Sequence, residues 1–291
     1  MKNKLKNFIK KFRLGRELIT PAGHFHSPIN SKTELLKREA NIWGSYSESL
    51  VGIDLNENRQ LELLNSFKEF YRELPFTSQP RNGHRFYFEN EMYSYGDSIF
   101  LYCVIRKFNP KRIIEVGSGF SSALMLDTNK LHYNNKIECT FIEPYPERLN
   151  SLLMEGERIN LIQQFVQDVN IELFDQLEAD DLLFIDSSHV AKTGSDLNFL
   201  IFEVLPRLKK GVKIHFHDIF YPFEYPKSWL LEDRRDWNEN YFLRAFLSGN
   251  TEFKIIAFNT YMEEFQENWF KKNMPLCLKN KGGSIWLERV N

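Results

Sequence analysis

The apolar and polar positions of this chain fall into two textures that meet near residue 110. Upstream, apolar residues recur at helical spacing. Leu61, Leu63, Leu64, Phe67 and Phe70 line one face of a segment running from 56 to 71, with Asp54 or Asn56 placed to cap it and Pro75 beyond its end. A second helix is predicted over 97–107, opened by Gly96-Asp97 and stopped by Asn109-Pro110. Downstream, short β-branched runs alternate with helical ones. Strands are predicted at 112–116, 138–142, 161–166, 182–185 and 212–216, with helices at 121–129, 146–153 and 196–208 between them. Strands separated by helices of this length make βαβ units, and hence a parallel sheet covered on both faces. Two further strands, at 254–259 and 284–290, flank a helical stretch at 261–272 and predict a final antiparallel pair.

Composition narrows the class. With 42% hydrophobic and 26% charged residues the chain is an ordinary globular protein, and a net charge of −1 gives no global field to draw it to nucleic acid. Aromatic residues are frequent and gather in loops such as Phe86-Tyr87-Phe88 and Phe220-Tyr221-Pro222-Phe223, where packing is favoured over the wall of an apolar pocket. Cys103, Cys139 and Cys277 fit no zinc or C-x-x-C spacing, which suits a reducing, cytoplasmic setting. No apolar run approaches the roughly 20 residues needed to span a bilayer. Residues 1–16 carry seven Lys/Arg and no acid, with Leu5, Phe8, Ile9, Phe12 and Leu14 mostly at helical intervals. This segment is read first as a solvated basic helix and second as a weak peripheral contact with an anionic membrane surface. It lacks the apolar core of a signal peptide.

The chemistry-bearing residues sit at predicted strand ends. Ile113-Ile114-Glu115-Val116-Gly117-Ser118-Gly119-Phe120-Ser121-Ser122 is a strand, a glycine turn and a helix start, a geometry that lets backbone N–H groups approach a ligand. Nicotinamide, flavin and S-adenosylmethionine (SAM) sites all use such a turn. Glu115 separates them, because a carboxylate there repels a pyrophosphate and attracts the amino group of SAM. Glu143 ends the second strand, 24 residues after Gly119, near the distance at which an acid binds ribose hydroxyls, with a helix-capping role as the alternative. Asp168 follows the third strand, placed either to accept from an adenine amino group beside Val169 or as a simple turn acid. The fourth and fifth strands end in Asp186-Ser187-Ser188-His189 and His215-Phe216-His217-Asp218. In an open parallel sheet, ligands bind at the carboxyl ends of strands, so Asp186, His189, His217 and Asp218 are expected on one rim. Two acids and two imidazoles there can act as general base or ligate a divalent metal, with Asp186, His217 and Asp218 as the metal candidates. His215 points to the same sheet face as His217 and reads as packed.

At these residues the chain resembles the class I SAM-dependent methyltransferases, and more closely a bacterial group of unassigned substrate similar to the methyltransferase-24-type and catechol-O-methyltransferase-like enzymes. The resemblance runs from about Phe86 to Phe258 and includes Tyr95-Gly96-Asp97, Phe141-Ile142-Glu143-Pro144-Tyr145-Pro146 and His217-Asp218-Ile219-Phe220-Tyr221-Pro222. It implies that Gly117, Ser118 and Gly119 cradle the methionine part of SAM with Glu115 nearby, that Glu143 holds the ribose and that Asp168 meets adenine. Asp186 stands among both the cofactor-binding and the catalytic candidates. The family's third turn glycine is Ser121 here, and its metal-binding Asp-Asn pair is His217-Asp218, which leaves metal dependence open.

The expected fold is therefore a Rossmann-like, doubly wound α/β sheet of seven strands, mostly parallel with an antiparallel last strand. A helical extension is expected over residues 1–95 and the SAM-binding domain over 96–291. The expected reaction is methyl transfer to a hydroxyl of a small-molecule or carbohydrate-like acceptor, with His189 or His217 as base, oriented by Asp186 and Asp218. The stretch from Phe220 to Arg244 is expected to roof the acceptor pocket, with Trp229, Trp237, Glu232, Arg234, Arg235 and Glu239 facing it, and His24-Phe25-His26-Ser27-Pro28 is expected to close its other side. The rival readings are a nicotinamide-dependent oxidoreductase on the same fold and a non-catalytic SAM-binding scaffold.

Overall fold

The computed structural model describes residues 20–291, so the basic segment 1–16 lies outside the described residues. The elements in chain order begin with helices α1 (Lys32–Lys37), α2 (Glu39–Ile42), α3 (Glu57–Arg72) and α4 (Tyr95–Phe108). Then follow β1 (Arg112–Val116), α5 (Phe120–Tyr133), β2 (Glu138–Ile142), α6 (Glu147–Leu152), β3 (Asn160–Ile162), β4 (Leu182–Ile185), α7 (Asp196–Phe199) and β5 (Lys213–His217). The last are α8 (Lys227–Leu231), α9 (Glu239–Leu247), β6 (Phe253–Phe258), α10 (Asn259–Phe265), α11 (Glu267–Asn273) and β7 (Ser284–Arg289).

Two compact units emerge. One holds described residues 20–46 and 226–236; the other holds 47–225 and 237–291. Within the smaller unit, Asp236 accepts from the backbone and side-chain amides of Asn30, and Lys227 pairs with Glu39.

The larger unit is built on the sheet, whose order among the described residues is β3-β2-β1-β4-β5-β7-β6. Strands β1 to β5 run parallel, while β7 is antiparallel to both β5 and β6. This is the expected seven-stranded Rossmann-like sheet. Its central strands are apolar on both faces because helices cover both. Ile113, Phe141, all of β4, Ile214, Phe216 and Ile285–Leu287 are buried. From β1 the chain winds outward through β2 and β3, then returns to lay β4 on the other side. The order therefore reverses between β1 and β4, and a crevice opens at their carboxyl ends.

Three elements differ from their expected bounds. Strand β3 spans only Asn160–Ile162, and Val166–Asp168 is a 3-10 turn instead of strand. β3 is the sheet edge, pairing only with β2, and Gln163, Gln164 and Phe165 are exposed, so nothing holds them extended. The expected helix 196–208 is α-helical only to Phe199; a π turn covers Leu200–Val204 and a 3-10 turn Leu205–Arg207. Pro206 has no N–H to give a regular ladder, and the wider turn absorbs the defect. Helix α4 begins at Tyr95, so Gly96 and Asp97 lie inside its first turn. Gly96 is there because a Cβ would fall 2.6 Å from the Gly282 nitrogen. Asp97 is buried and accepts from Asn259 Nδ2, Ser284 Oγ and Gly283 N, pinning α4 to the approach to β7.

At α3 the cap also differs. Asn56 occupies the N-cap in a left-handed conformation without a side-chain bond, and Asp54 accepts from the Asn56 N–H instead. The aromatic loop is packed, as expected: Phe86 and Phe88 are buried, with Phe76 edge-on to both.

Candidate active site

The site begins at the glycine turn. Gly117 leaves β1 with φ +82°, and its N–H donates to Ile142 O. A Cβ there would lie 1.8 Å from the carbonyl oxygen of Asp186. Only glycine permits this combination of left-handed backbone and close approach. Gly119 has φ −179°, extended backbone open to any residue, and a Cβ would meet only the flexible Arg148 side chain at 3.2 Å.

Two carboxylates brace this turn. Glu115 is fully buried, and both its oxygens accept hydroxyls from the first turn of α5, Ser121 Oγ at 2.5 Å and Ser122 Oγ. The serine standing where the family carries a third glycine is therefore a partner for Glu115. Burial pushes the Glu115 carboxyl up to about 8, against the pull of the two serines and with Asp186 adding to the rise. Glu143, at the end of β2, accepts from Ser118 N at 3.0 Å and Tyr145 N at 2.8 Å, and so ties the turn to the next strand. Asp168 is exposed in its 3-10 turn, beside the buried Val169.

The elevated carboxyl has a measurable consequence. A carboxyl whose folded value is raised binds a proton more tightly in the folded state, so its contribution favours folding at low pH and is lost as pH rises from about 4.5 to about 8. Glu115→Gln removes that loss, which a shift of this size makes on the order of a few kcal/mol. The variant is expected to melt higher than wild type at pH 9 and no higher at pH 5. An equal difference at both values would show that Glu115 is ionised throughout.

The rim forms where β4 and β5 end. Asp186 N donates to Val116 O, fixing the end of β4 to the glycine turn. His189 Nε2 lies 3.3 Å from Asp186 Oδ1 and 3.6 Å from Asp218 Oδ2, and His217 Nε2 lies 3.6 Å from Asp218 Oδ1. Asp186, His217 and Asp218 each offer a donor atom within 4.8 Å of the others. The four residues expected on one rim are thus brought together. His215 is buried, stacked on Phe184 at 3.9 Å, and pushed well below its ordinary range by burial, as a packed imidazole should be.

Glu239, expected in the acceptor roof, is bonded to His189 instead. Glu239 opens α9, is buried, and its Oε2 is 2.7 Å from His189 Nδ1. Trp237 stacks on the same imidazole at 4.3 Å, and the backbone N–H groups of Asn238 and Glu239 donate to His189 O. Tyr93, tilted against His217 at 5.3 Å, was not anticipated either. Glu239 lies 50 positions from His189, and no local spacing announces the pair.

Charge at the rim follows from these contacts. Burial disfavours a charged His189, but its bonds to Asp186 and Glu239 outweigh that and hold it well above the ordinary range. His217 is likewise raised, its burial overcome by Asp218 and Asp186. Asp186, half-buried, is held low chiefly by His217 and His189, which outweigh its desolvation. The imidazoles are therefore held toward their charged forms, which bears on their expected role as bases.

Fold, glycine turn and rim together define a class, and comparison with known proteins agrees. Residues 114–219 match the family model described as a methyltransferase domain. A protein of Archaeoglobus fulgidus described only as uncharacterized is 37% identical over 165 residues, covering 55% of this chain and 74% of that protein. Among solved structures, the SAH-bound Podospora anserina methyltransferase PaMTH1 is 17% identical, covers 92% of this chain and 100% of that chain, and has a TM-score of 0.46. The O-methyltransferase TomG from Streptomyces achromogenes, solved with SAM, is 14% identical over 89% of this chain and 96% of its own, with a TM-score of 0.44. The chain carries a methyltransferase domain over residues 114–219 on a Rossmann-like sheet. Among the described residues, no helix is long and apolar enough to cross a membrane.

Proposed function

We propose that this protein transfers the methyl group of SAM to a hydroxyl of a small-molecule or carbohydrate-like acceptor. The observation that carries this reading is the contact between the glycine turn and the rim, where Gly117 lies against the carbonyl of Asp186. A cofactor on the turn and an acceptor on the rim would be neighbours, which is the alignment a direct displacement needs.

On the donor side, Gly117, Ser118 and Gly119 take the methionine part of SAM, Glu143 the ribose hydroxyls and Asp168 the adenine amino group. Glu115 lies beneath the turn and braces its helix start through Ser121 and Ser122. SAM, when bound, supplies the electrophilic methyl carbon; the chain has to align the acceptor and remove its proton. On the acceptor side, Asp186 is the more open carboxylate, and it orients the hydroxyl. His189 and His217 place positive charge where the oxyanion develops. Asp218, a carboxyl raised by burial despite the adjacent imidazoles, receives the proton.

Calorimetric titration tests the donor half. SAM and its demethylated product are expected to bind at micromolar concentration, about −8 kcal/mol. Glu143→Ala should weaken both by about tenfold or more, as loss of a charged hydrogen bond does. Binding of NADH in place of SAM would reject the reading. Transfer of labelled methyl to hydroxyl acceptors, lost in Asp186→Asn, then tests the acceptor half.

A further inference from the structure

We propose that Arg148 is a cofactor-binding residue whose guanidinium takes the carboxylate in the methionine part of SAM. This rests on the reading of the glycine turn as the SAM site, and it adds a charged side chain to the backbone groups assigned there.

Three observations support it. Position is the first. Arg148 sits in the first turn of α6, in the segment that follows Glu143 out of β2. Its Cδ lies 3.2 Å, and its Nη1 4.0 Å, from the point where a Cβ on Gly119 would stand. The missing side chain of Gly119 lets the arginine stem settle this close to the turn. One residue earlier, Ser118 N is bonded to Glu143. The same segment therefore brings an acid and a guanidinium to successive residues of the turn.

The second is the state of its charge. Among the described residues, the Arg148 guanidinium makes no hydrogen bond or ion pair, and the nearby acids Glu143, Glu147 and Asp186 leave it unpaired. The residue is exposed, so a ligand reaches it without breaking a contact already made. Its charge nonetheless extends to the rim. Desolvation raises the Asp186 carboxyl, and Arg148 joins His217 and His189 in lowering it. The guanidinium thus stands within electrostatic reach of the crevice.

Ligand chemistry is the third. SAM carries a sulfonium, an ammonium and a carboxylate. A guanidinium repels the first two and matches the third, which its planar fork can hold with two parallel N–H···O bonds. The adenosine part offers only neutral acceptors. The demethylated product keeps the carboxylate, so Arg148 holds donor and product alike and leaves the chemical step itself unassisted.

The test is calorimetric titration of the full chain, wild type, Arg148→Met and Arg148→Lys. The ligands are SAM, its demethylated product, decarboxylated SAM, and 5′-methylthioadenosine, which lacks the amino-acid part. Arg148→Met is expected to weaken SAM and product by the same factor, about tenfold. It should leave 5′-methylthioadenosine unchanged and bind decarboxylated SAM at least as tightly as wild type does, because a repelling charge is gone. Arg148→Lys keeps the charge without the fork and should fall between. Thermal melts check that the variants, altered at an exposed position, fold as wild type does. The same preference for SAM over decarboxylated SAM in wild type and Arg148→Met would overturn the proposal. So would an equal loss of 5′-methylthioadenosine binding, which would assign Arg148 to the adenosine part. NADH binding that depends on Arg148 would also overturn it, by giving the guanidinium to a phosphate. SAM binding with an unaltered preference overturns this inference alone, and failure of the wild type to bind SAM overturns the proposed function and this inference together.

Discussion

Gly117→Ala is expected to lose about 3 kcal/mol of stability or more and to abolish measurable SAM binding. The methyl group would enter at 1.8 Å from the Asp186 carbonyl oxygen, and the backbone would have to hold a β-carbon at φ +82°. Neither strain can be relieved by rotating a side chain. The atom in the way is main chain, and it belongs to the residue whose N–H donates to the Val116 carbonyl. Relief therefore means separating β1 from β4 at the crevice. Gly119→Ala is the control, since its backbone is extended and its neighbour is the movable Arg148 side chain. It should melt within about 1 kcal/mol of wild type. Thermal melts of the two variants decide the matter, and equal losses of stability would refute the steric account.

Asp127→Ala should be nearly as damaging, at about 3–5 kcal/mol. Asp127 and Arg85 are almost fully buried and joined at 2.5 Å, and Asp127 also accepts from the N–H groups of Arg85 and Phe86. Removing the carboxylate strands a buried guanidinium and two buried donors at once. Arg85 keeps one partner, Glu157, which is partly exposed. Glu157→Ala should cost only about 1 kcal/mol, because water can replace much of what it offers. The effect reaches the site as well. This ion pair anchors the Phe86-Tyr87-Phe88 loop, and Tyr87 lies edge-on to Phe120, the first residue of α5 after the glycine turn. SAM affinity in Asp127→Ala should fall along with the melting temperature. An unchanged melting temperature would show that the pair is not stabilising.

Much of this architecture was legible because its signals are local. β1, β2 and β4 begin and end where their apolar runs do, since a strand covered on both faces needs nothing else. The glycine turn and the acids at strand ends were legible for the same reason. Failures occurred where the deciding contact is distant in sequence. Asp97 reads as a helix-start residue, yet its partners are Asn259, Gly283 and Ser284. Glu239 reads as a polar contact in the acceptor roof, yet it is buried on His189. β3 was overestimated because an edge strand depends on one neighbour only, and its apolar residues do not reveal how far that neighbour extends. The hydroxyls of Ser121 and Ser122 donate to Glu115 from close by in sequence, a contact that the glycine-turn pattern does not announce.

Asp218 follows β5 with φ +56°, and desolvation raises its half-buried carboxyl, as do the other carboxylates near it. Glycine at that position would remove both a conformational penalty and a desolvated acid, while deleting a group the reaction is proposed to need. The sequence that best survives heat and the sequence that best performs methyl transfer therefore differ at this position. Selection for thermal tolerance alone would remove the acid that the proposed reaction needs.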